Sequence, residues 1–595
     1  MNNNIFLSEI TWDRIWIFFH IQGLPKNAKV YIKNIKTLEE YPLYHKDYYS
    51  KDIIGVSPDI SSNNIPATEE GSTFDHENAS IFKLNITNPG NCTMLSPGLY
   101  KLYTYYNPDK DLNDKMPLSK IIPIDSHISN IKRNNRQFIY FHSERAYRIQ
   151  FSDKNGFIFR ASDIELPEKN IIKKLISKIR TGRNNLAKSI LRTIYNIEFI
   201  FLHRNGIKKA FKSANKVDNK GNIRENTSNV KDNKNIHNIN NPHILLMSDQ
   251  AEEIGSNMQA LMDALTSRGY KIDTAFRAIT TKHYNILHWI KTLAKIAKAD
   301  YIFLDDHSQT TDWLTIKDTI ITQIWHAGAG FKSTGYSRFG MPASPAPKSG
   351  HRQYTYGIAG SLKIRHFFSE VWGINDEMVL PTGMPRLDQF LDKAYIEKTK
   401  EELYKDYPEL CKPNGKNKII LFAPTYRGQN KKNAYYPFNK LDMDKLYTLC
   451  AEQDLIFLIK MHPFVEYKTP IPQKYKDRIL DLTKYPNIND LYYVTDLLIT
   501  DYSSGIYEFS LMNKPMLFYA FDIDEYTKER GFHRDYRENV PGKIVETFSD
   551  MLRAIENHDY EYEKVKIYQA NNFDHVDSHA CDRIIDFIIC GKNVF

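Results

Sequence analysis

The chain has 595 residues, of which 42% are hydrophobic and 13% aromatic, a composition that supports folded domains with apolar cores. At roughly 100–200 residues per domain, this length predicts three or more domains, or two large ones with an appendage. Lys and Arg outnumber Asp and Glu by 80 to 71, a mild excess that suits a phosphate-bearing substrate or an anionic membrane surface and does not indicate nucleic acid.

Three further features narrow the class of protein. No stretch of 18 consecutive apolar residues occurs, which argues against a transmembrane helix. The opening segment, MNNNIFLSEITWDRIW, lacks a basic leader and is interrupted by acidic residues, unlike a signal peptide. The five cysteines are scattered and show neither CxxC nor Cys/His metal spacing, so we expect reduced thiols and a cytosolic protein.

Residues 1–165 are predicted to form a mostly β N-terminal accessory domain. Runs such as TWDRIWIFFHI, SIFKLNIT and GLYKLYTYY are rich in Ile, Phe and Tyr, and Pro, Asn, Asp and Gly separate them. Several runs alternate apolar with polar residues, a pattern that is typical of a β-sandwich or barrel. We recognise no catalytic constellation in this region.

Residues 166–215 change to a basic amphipathic helical pattern. Between 171 and 179, apolar residues recur at helical spacing, and Lys and Arg occupy the other face. This pattern fits a helix lying on an anionic membrane, and it equally fits a helix packed on its own protein with a solvated basic face. Residues 216–241, rich in Asn and Lys, are predicted to be a disordered linker.

From Pro242 onward, strand-like runs alternate with helical patterns in two series, assigned to residues 242–395 and 396–595. The first series contains HILLMSD and DYIFLDD, and the second contains KIILFAPTYRG, LIFLIKMHP and DLLITDYSSG. Alternating β and α elements predict parallel sheets. We therefore expect two Rossmann-like domains, the second closed by C-terminal helices, with a ligand crevice at the carboxyl ends of the strands.

The stretch IWHAGAGFKSTG, residues 324–335, places His326 where the strand-like run TIITQIW ends. Its glycines let the backbone approach a ligand, Lys332 can neutralise phosphate oxygens, and a neutral His326 can take a proton from an attacking hydroxyl. Taken alone, the stretch is better explained by a histidine hydrogen-bonded within a turn. Neither GxGxxG nor GxxxxGK[ST] occurs here, so nucleotide-binding loops of those types are not supported.

Two more strand ends carry polar side chains. IKMHPF places the imidazole of His462 after a strand, and Pro463 keeps the residue before it extended. An exposed loop histidine is the alternative. FAPTYRG places Thr425 and Arg427 just after another strand, and a guanidinium is well suited to clamp a phosphate.

The stretch DLLITDYSSGIYEF predicts a strand that ends at Thr500 and a helix that starts near Ser503 or Ser504. With Asp501 and the serines as caps, the free backbone N–H groups, the hydroxyls and the helix dipole form an anion site. Glu508, one turn into the helix, is placed to reach a sugar hydroxyl of the same ligand. An ordinary N-cap is the alternative, and it accounts for only one serine.

A required metal is not indicated by the sequence. Asp305 and Asp306 end a strand, but adjacent strand residues point to opposite faces, so we predict capping rather than metal ligation. Dependence on a divalent metal is left open.

From about Pro242 to its end, the chain resembles the CDP-glycerol glycerophosphotransferase family, the teichoic-acid-type polymerases. The matching stretches follow the family's order, and five of them in order are specific. They are QIWHAGAGFKSTGYSRFG, PTGMPRLDQF, LFAPTYRG, KMHPF and DLLITDYSSGIYEFSLMNKPMLFYAFD. LLMSDQAEEIGSNMQAL is similar to the family's opening strand and helix. The N-terminal β region lies outside the resemblance.

This resemblance implies a GT-B fold, in which two Rossmann-like domains face each other across a cleft. It implies a transferase that moves an alditol phosphate, with glycerol phosphate the first expectation, from a CDP-alditol to a hydroxyl of a growing teichoic-acid-like or capsular polymer, releasing CMP. The donor is CDP-glycerol or, as the alternative, CDP-ribitol, and no further cofactor is expected. The acceptor is a polyol phosphate or glycan, with a lipid-linked form as one alternative.

By the same resemblance, His326 stands where the family has its proposed general base, and His462 stands where a histidine helps to hold the donor diphosphate. Asp501, Ser503 and Ser504 fall on the family's phosphate-contacting turn. The segment 167–214 occupies the place where such enzymes contact membrane, which implies a cytoplasmic protein on the inner face of the bacterial membrane. Homo-oligomerisation stays open.

Two rival functions accompany this reading. One is another sugar-nucleotide glycosyltransferase, or an epimerase, on the same fold, because fold does not fix chemistry. The other is a non-catalytic glycan-binding or membrane-binding protein with an inactive transferase half. Donor screening, with CMP or UDP release as the readout, separates these alternatives.

Overall fold

In the computed structural model, the described residues are 6–13, 16–24, 28–45, 79–85, 95, 97–105, 115–117, 137–139, 145–152, 156–163, 184–201, 241–279, 282–338, 345, 349–410, 418–428, 433–532 and 534–595. The helical pattern predicted between 171 and 179 and nearly all of the predicted linker 216–241 lie outside these ranges. Those two predictions therefore stay predictions.

The N-terminal region is built from antiparallel strands. They are β1 (Phe6–Asp13), β2 (Trp16–Gln22), β3 (Lys29–Asn34), β4 (Glu40–His45), β5 (Ala79–Asn85), β6 (Gly98–Tyr105), β7 (Lys115–Pro117), β8 (Gln137–Ile139), β9 (Arg145–Ser152) and β10 (Gly156–Asp163). Val30 and Ile32 of β3 are buried and alternate with more exposed residues, as the sequence pattern predicts for a half-buried strand. The strands pair in the order β1-β2-β5-β4-β3-β6-β10-β9-β8, with β7 beside β6.

A helix, α1 (184–201), follows the β region. Tyr195 on this helix is 1% exposed and packs into the core of the first α/β lobe, and its hydroxyl oxygen accepts a hydrogen bond from the Lys317 backbone N–H at 3.1 Å. The opposite face of α1 leaves five large apolar side chains exposed, namely Leu186, Ile190, Ile197, Ile200 and Phe201. The helix thus packs on its own protein with one face and presents an apolar face to the outside. Within the described residues, no helix combines the length and the apolarity that crossing a bilayer requires.

The first lobe contains a six-stranded parallel sheet in the order β12-β11-β13-β14-β15-β16. Its strands are β11 (Ile244–Ser248), β12 (Ile272–Phe276), β13 (Tyr301–Leu304), β14 (Ile320–Gln323), β15 (Tyr356–Ile358) and β16 (Val379–Leu380). The helices of this lobe are α2 (Ser256–Ser267), α3 (Ile286–Lys298), α4 (Gln309–Trp313), α5 (Arg365–Trp372), α6 (Leu387–Phe390) and α7 (Lys393–Asp406). Every residue of β11, β13 and β14 is buried, as expected for strands covered by helices on both faces.

The second lobe contains another six-stranded parallel sheet in the order β19-β18-β17-β20-β21-β22. Its strands are β17 (Lys418–Phe422), β18 (Leu455–Ile459), β19 (Ile479–Asp481), β20 (Leu497–Thr500), β21 (Met516–Tyr519) and β22 (Lys543–Val545). Its helices are α8 (Met443–Glu452), α9 (Ile488–Tyr492), α10 (Ile506–Ser510), α11 (Ile523–Glu529), α12 (Tyr536–Asn539), α13 (Phe548–Glu556), α14 (Glu563–Asn572) and α15 (Ala580–Ile584), which continues as a π-helical turn (Ile585–Ile589).

The C-terminal helices return to the first lobe. Arg268, at the end of α2, forms ion pairs with Asp582 and Asp586 on the last helical segment. Helix α7 runs across the boundary predicted between residues 395 and 396. The α/β architecture with two parallel sheets is confirmed, and the exact division into domains stays a prediction.

Among the described residues, Lys83 and Tyr336 connect the β region with the first lobe. Lys83 on β5, 5% exposed, pairs with Asp376 at 3.1 Å and lies 3.7 Å from Glu377. Tyr336 lies in a short 3₁₀ helix (Gly335–Arg338) of the first lobe, yet it is fully buried within the apolar core of the β region. The accessory region is therefore joined to the segment that follows His326.

Candidate functional site

His326 lies three residues beyond the end of β14, on a backbone with an unusual conformation. The residue before it, Trp325, has φ 50°, a left-handed conformation that is rare for a large side chain. The Gln323 side-chain oxygen accepts a hydrogen bond from the Trp325 backbone N–H at 2.9 Å, and the Trp325 ring stacks on the imidazole at 4.6 Å. A strained backbone at this point is an observation that often accompanies a functional site.

The imidazole of His326 has one nitrogen engaged and one available. Its Nδ1 lies 3.3 Å from the Asp305 carbonyl oxygen and 3.9 Å from the Asp306 carboxylate. Because a carbonyl can only accept, the contact with Asp305 places the proton on Nδ1 and leaves the lone pair on Nε2. The imidazole is therefore oriented as a base, and a carboxylate stands near the side that becomes positively charged. The sequence predicted capping for these two aspartates and gave no indication of their place beside His326.

Two side chains hold the backbone carbonyl groups of Trp325 and His326. Asn257, on α2 and 3% exposed, donates from its amide nitrogen to the Trp325 carbonyl at 2.7 Å. Arg386 donates from NH1 to the His326 carbonyl at 2.9 Å, and its backbone N–H donates to the Asn257 side-chain oxygen at 3.0 Å. Neither residue was assigned a role from the sequence, although Arg386 lies within the PTGMPRLDQF stretch.

Glu508 is buried and paired within the protein, whereas its position after the serines predicts that it reaches a sugar hydroxyl of the ligand. It is 2% exposed on α10 and accepts hydrogen bonds from Nε of Arg386, at 2.9 Å, and from NH2 of the same guanidinium. A buried carboxylate needs such a partner. Glu508 thus connects the second lobe to the residue that holds His326.

The glycine-rich loop after His326 is bound to the second lobe. Lys332 forms an isolated antiparallel bridge with Phe532, and the Ser333 N–H donates to the Gly531 carbonyl at 3.0 Å. Arg534, 5% exposed, donates to the Ala329 carbonyl at 2.8 Å. The loop that begins in the first lobe is therefore part of the junction between the two lobes.

Lys332 adds positive charge at this junction. Burial lowers its pKa to about 8, and the neighbouring charges of Arg530 and Arg427 act in the same direction, while Asp501 opposes them. Arg338 donates to the Arg530 carbonyl at 2.7 Å and adds a further cation. A cationic group held at a reduced pKa gains from an anionic ligand, which would restore its charge.

His462 follows β18, as predicted, and is neutral at physiological pH. Burial lowers its pKa to about 4, and Lys332 and Lys460 lower it further by electrostatic repulsion. Its Nδ1 accepts a hydrogen bond from the Phe464 backbone N–H at 3.1 Å, so the proton resides on Nε2. The Tyr426 ring packs against the imidazole with centroids 4.7 Å apart. The side chain is thus a preset hydrogen-bond donor.

Arg427 is engaged within the protein, whereas the sequence predicts that it clamps a phosphate. Its Nε and NH2 donate to both carboxylate oxygens of Asp522 at 2.6 and 2.8 Å, and NH1 lies 2.9 Å from Asp501. NH1 also donates to the Thr425 carbonyl at 2.5 Å. The reason is physical: a guanidinium that is 8% exposed requires fixed acceptors, and two carboxylates supply them.

Asp501 joins two strand ends rather than capping a helix. Its Oδ1 accepts hydrogen bonds from the backbone N–H groups of Thr425 and Tyr502, at 2.7 and 2.5 Å. Thr500 at the end of β20 donates to the Ala423 carbonyl at 2.7 Å. The Thr425 hydroxyl is buried and has no hydrogen-bond partner among the described residues. Of these groups, this hydroxyl is the one left to meet a ligand.

The serine turn differs in detail from its prediction. Helix α10 begins at Ile506, later than predicted, and it has only five residues, so its dipole adds little. Ser503 is half-buried, its Oγ accepts the Gly505 N–H at 3.1 Å, and Ser504 is exposed. The turn offers hydroxyls and backbone N–H groups at the carboxyl end of β20, beside the strand ends that carry Thr425 and His462.

The structure thus brings most predicted residues to the junction of the two lobes. Lys332 interacts electrostatically with His462 and with Asp501, and Arg386 connects His326 with Glu508. Among the described residues, no group of three or more His, Cys, Asp or Glu is placed to hold a metal ion. The arrangement offers an imidazole base, a neutral imidazole donor and excess positive charge, which together suit a phosphoryl group.

The sequence matches one family model, described as CDP-Glycerol:Poly(glycerophosphate) glycerophosphotransferase, over residues 230–590. The teichoic acid ribitol-phosphate polymerase TarL of Staphylococcus aureus is 37% identical over 348 residues, which are 58% of this chain and 61% of that protein. The teichoic acid poly(ribitol-phosphate) polymerase of Bacillus spizizenii is 37% identical over 355 residues, 59% of this chain and 56% of that protein. The chain thus spans about three fifths of the length of these two relatives.

A glycerol-phosphate relative is also similar. The teichoic acid glycerol-phosphate primase of Bacillus subtilis is 29% identical over 311 residues, 51% of this chain and 77% of that protein. Among solved structures, the wall teichoic acid polymerase TagF matches with a TM-score of 0.47 and 22% identity, covering 59% of this chain and 90% of that chain.

Proposed function

We propose, since the chain belongs to the CDP-glycerol:poly(glycerophosphate) glycerophosphotransferase family, that it transfers an alditol phosphate from a CDP-alditol to a hydroxyl of a growing teichoic-acid-like or capsular polymer and releases CMP. The observation that supports this proposal is the position of Lys332. It follows the His326 segment in the first lobe and acts electrostatically on His462 and Asp501 in the second. A base and an anion site therefore share one junction, which is consistent with a GT-B arrangement.

In the proposed mechanism, Nε2 of His326 takes the proton of the acceptor hydroxyl as that oxygen attacks the β-phosphorus of the donor. A new P–O bond forms, the bond between the β-phosphorus and the bridging oxygen breaks, and CMP leaves with the electron pair. Nε2–H of His462, the Thr425 hydroxyl and Lys332 stabilise the charge on the phosphoryl oxygens. Positioning and electrostatics supply most of the acceleration in reactions of this kind.

The serine turn adds donors to the same phosphate groups. Ser503 and Ser504 follow β20. Asp501 fixes the start of this turn by accepting the backbone N–H groups of Tyr502 and of Thr425, which follows the neighbouring strand β17. Arg427 acts indirectly in this proposal, because its guanidinium holds Asp501 and Asp522 in place. In this proposal, some residues contact the donor directly, and others hold the donor-binding turn in place.

CDP-glycerol is the first donor to test, and CDP-ribitol is a specific alternative. The two ribitol-phosphate polymerases are each 37% identical to this chain over the aligned residues, whereas the glycerol-phosphate primase is 29% identical. The proposed acceptor is a polyol phosphate or a glycan, and it includes lipid-linked forms.

The apolar face of α1 supports a proposed place for the enzyme on the cytoplasmic side of the bacterial membrane. Five large apolar side chains are exposed on one face of this helix, and contiguous exposed apolar surface commonly marks a contact site. Lys188 and Arg192 lie on the same helix, within the segment 167–214 that the sequence marks as basic. Such a helix can lie in the interface of an anionic bilayer with its apolar face buried.

The function is tested by incubating the purified protein with CDP-glycerol, CDP-ribitol and UDP-sugars, each with polyol-phosphate acceptors, and measuring CMP or UDP release and product mass. We expect CMP release with a CDP-alditol, and loss of it in His326→Ala with folding retained. His558→Ala, at an exposed position of the second lobe, is the matched control and should retain turnover. UDP release would favour a glycosyltransferase or epimerase, and no turnover with any donor would favour a binding protein.

A further inference from the structure

The backbone that carries His326 is fixed from both sides by side chains outside the predicted motif. Asn257 binds the carbonyl of Trp325, whose φ of 50° requires such support, and Arg386 binds the carbonyl of His326. The two holding residues are themselves joined, since the Arg386 N–H donates to the Asn257 side-chain oxygen. A displacement of either one would shift the strained backbone and the imidazole with it.

The guanidinium of Arg386 binds the His326 carbonyl and the Glu508 carboxylate at the same time. Its NH1 reaches the His326 carbonyl in the first lobe, while Nε and NH2 reach one carboxylate oxygen of Glu508 in the second. Glu508 lies on α10, directly after the Ser503–Gly505 turn. The side chain of Arg386 is 13% exposed and that of Glu508 is 3% exposed, so this ion pair is largely shielded from solvent. The geometry therefore connects the backbone of the base with the serine turn through a single side chain.

We propose that Arg386 and Asn257 are positioning residues for His326, and that the Arg386–Glu508 pair transmits the closure of the two lobes to the imidazole. The inference rests on the proposed function, in which His326 is the base. A planar guanidinium can bind a carboxylate and a carbonyl together, whereas a lysine ammonium on a flexible stem cannot reproduce that fork. Separation of the lobes would withdraw Glu508 and release the His326 carbonyl.

The alternative is that the pair only holds the lobes together. A matched ion pair elsewhere in the chain separates the two readings. Arg268 also joins the first lobe to the C-terminal helices, through Asp582 and Asp586, and these ion pairs do not involve the His326 backbone. Arg268→Lys therefore weakens a more exposed contact between the first lobe and the C-terminal helices without touching the base.

The test compares Arg386→Lys, Asn257→Asp and Arg268→Lys with the wild-type chain. Arg386→Lys keeps a positive charge beside Glu508, and Asn257→Asp keeps the oxygen that accepts from Arg386 but removes the donor to Trp325. If Arg386→Lys fails to fold, the double variant R386Q/E508Q replaces it, because it removes both charges together and leaves no buried carboxylate unpaired.

Two readouts decide the outcome. In turnover assays, we expect Arg386→Lys and Asn257→Asp to lower kcat about 10- to 100-fold, because small misplacements of a catalytic group have effects of this size. The KM for the donor should change by less than about threefold, since the phosphate contacts are intact. Amide hydrogen exchange in peptides covering 324–331 should rise in Arg386→Lys and in Asn257→Asp. It should stay unchanged in Arg268→Lys.

Wild-type kcat together with wild-type exchange at 324–331 in both site variants would overturn the proposal. An equal increase of exchange in Arg268→Lys would also overturn it, because loosening of the lobes would then be the whole effect. If the wild-type chain shows no turnover with any CDP-alditol, the proposed function fails, whereas the exchange measurement still decides whether these residues hold the His326 backbone.

Discussion

The ring of Tyr507 lies against Gly328 so closely that a β-carbon at position 328 would stand 2.5 Å from its Cδ1 atom. Gly328 belongs to the loop that follows His326, and Tyr507, which is fully buried, lies on α10 between the serine turn and Glu508. Only a residue without a side chain allows this approach. The contact is a further point at which the loop after His326 meets the second lobe, besides the hydrogen bonds of Ser333 and Ala329.

We predict that Gly328→Ala destabilises the junction between the lobes by about 1–3 kcal/mol, the usual result of overpacking a buried contact. Turnover should fall as well, since the loop must move away from the Tyr507 ring. Urea unfolding and initial rates measure the two effects. Gly255→Ala is the control, because a β-carbon there meets nothing closer than a carboxylate oxygen of Asp305 at 3.7 Å. Equal stability of the two variants would contradict the prediction.

The binding of an anionic donor should weaken in alkaline solution. The pKa of Lys332 is lowered to about 8, chiefly by burial, so the free enzyme loses this charge as the pH rises through about 8. We expect kcat/KM for the CDP-alditol to decline above that pH. Lys332→Arg retains its charge far above this range, so the decline should be absent in that variant. Rates measured from about pH 6.5 to about pH 10 test this, and an identical decline in both proteins would exclude Lys332 as its source.

The neutral His462 should make the fold sensitive to acid. Its pKa falls from 6.5 to about 4 on folding, mainly through burial, so the unfolded chain binds the proton more readily. Stability is therefore lost as the pH falls from about 6.5 toward about 4. His462→Gln removes this contribution, so the variant should lose less stability than wild type between pH 7 and pH 4.5, as measured by urea unfolding at several pH values. A parallel loss in both proteins would show that His462 does not contribute.

Arg427 should act through stability rather than through direct donor binding. Arg427→Met leaves Asp501, which is 1% exposed, and Asp522 without their shared cation. Removing one partner of a buried ion pair typically costs about 3–5 kcal/mol, so we expect a clear decrease in the urea midpoint. Arg427→Lys should recover part of it. A variant with wild-type stability but a greatly raised donor KM would restore the phosphate-clamp interpretation.

The exposed face of α1 predicts membrane binding that depends on apolar contact. At 100° per residue, Ile197 and Phe201 lie on the same stripe as the other exposed apolar residues, opposite Tyr195. The double variant I197E/F201E should lose binding to vesicles that contain anionic lipid, as measured by sedimentation. Asn185→Glu adds a charge outside that stripe and serves as the control. Unchanged vesicle binding in the double variant would favour a helix that only packs on its own protein.

Much of the α/β half could be predicted from the sequence because its strands are continuous apolar runs that end in polar residues. The strand ends before His326, His462 and Asp501 lie where the pattern placed them, since parallel strands put their carboxyl ends on one edge. Pairing by hydrogen bonds then fixes the strand order, which no local pattern specifies.

The roles of Arg427 and Glu508 could not be predicted because their partners are distant in sequence. Arg427 meets Asp522, 95 residues later, and Glu508 meets Arg386, 122 residues earlier. A charged residue at a strand or helix end has the same local signature whether it faces a ligand or a buried partner. The only sequence sign of either residue was its inclusion in a stretch similar to the family, PTGMPRLDQF for Arg386 and LLMSDQAEEIGSNMQAL for Asn257.

The contact that Tyr336 and Lys83 make between the β region and the first lobe limits how this chain can be divided or recombined. Cutting away the first 241 residues would expose a tyrosine ring that is now enclosed by the β region, and would deprive Asp376 and Glu377 of an ammonium group. The newly exposed residue, Tyr336, is four residues from Lys332, which belongs to the proposed anion site. Replacement of the β region by an unrelated domain therefore requires a new apolar site for that ring, and the α/β half produced alone lacks contacts that it has in the intact chain.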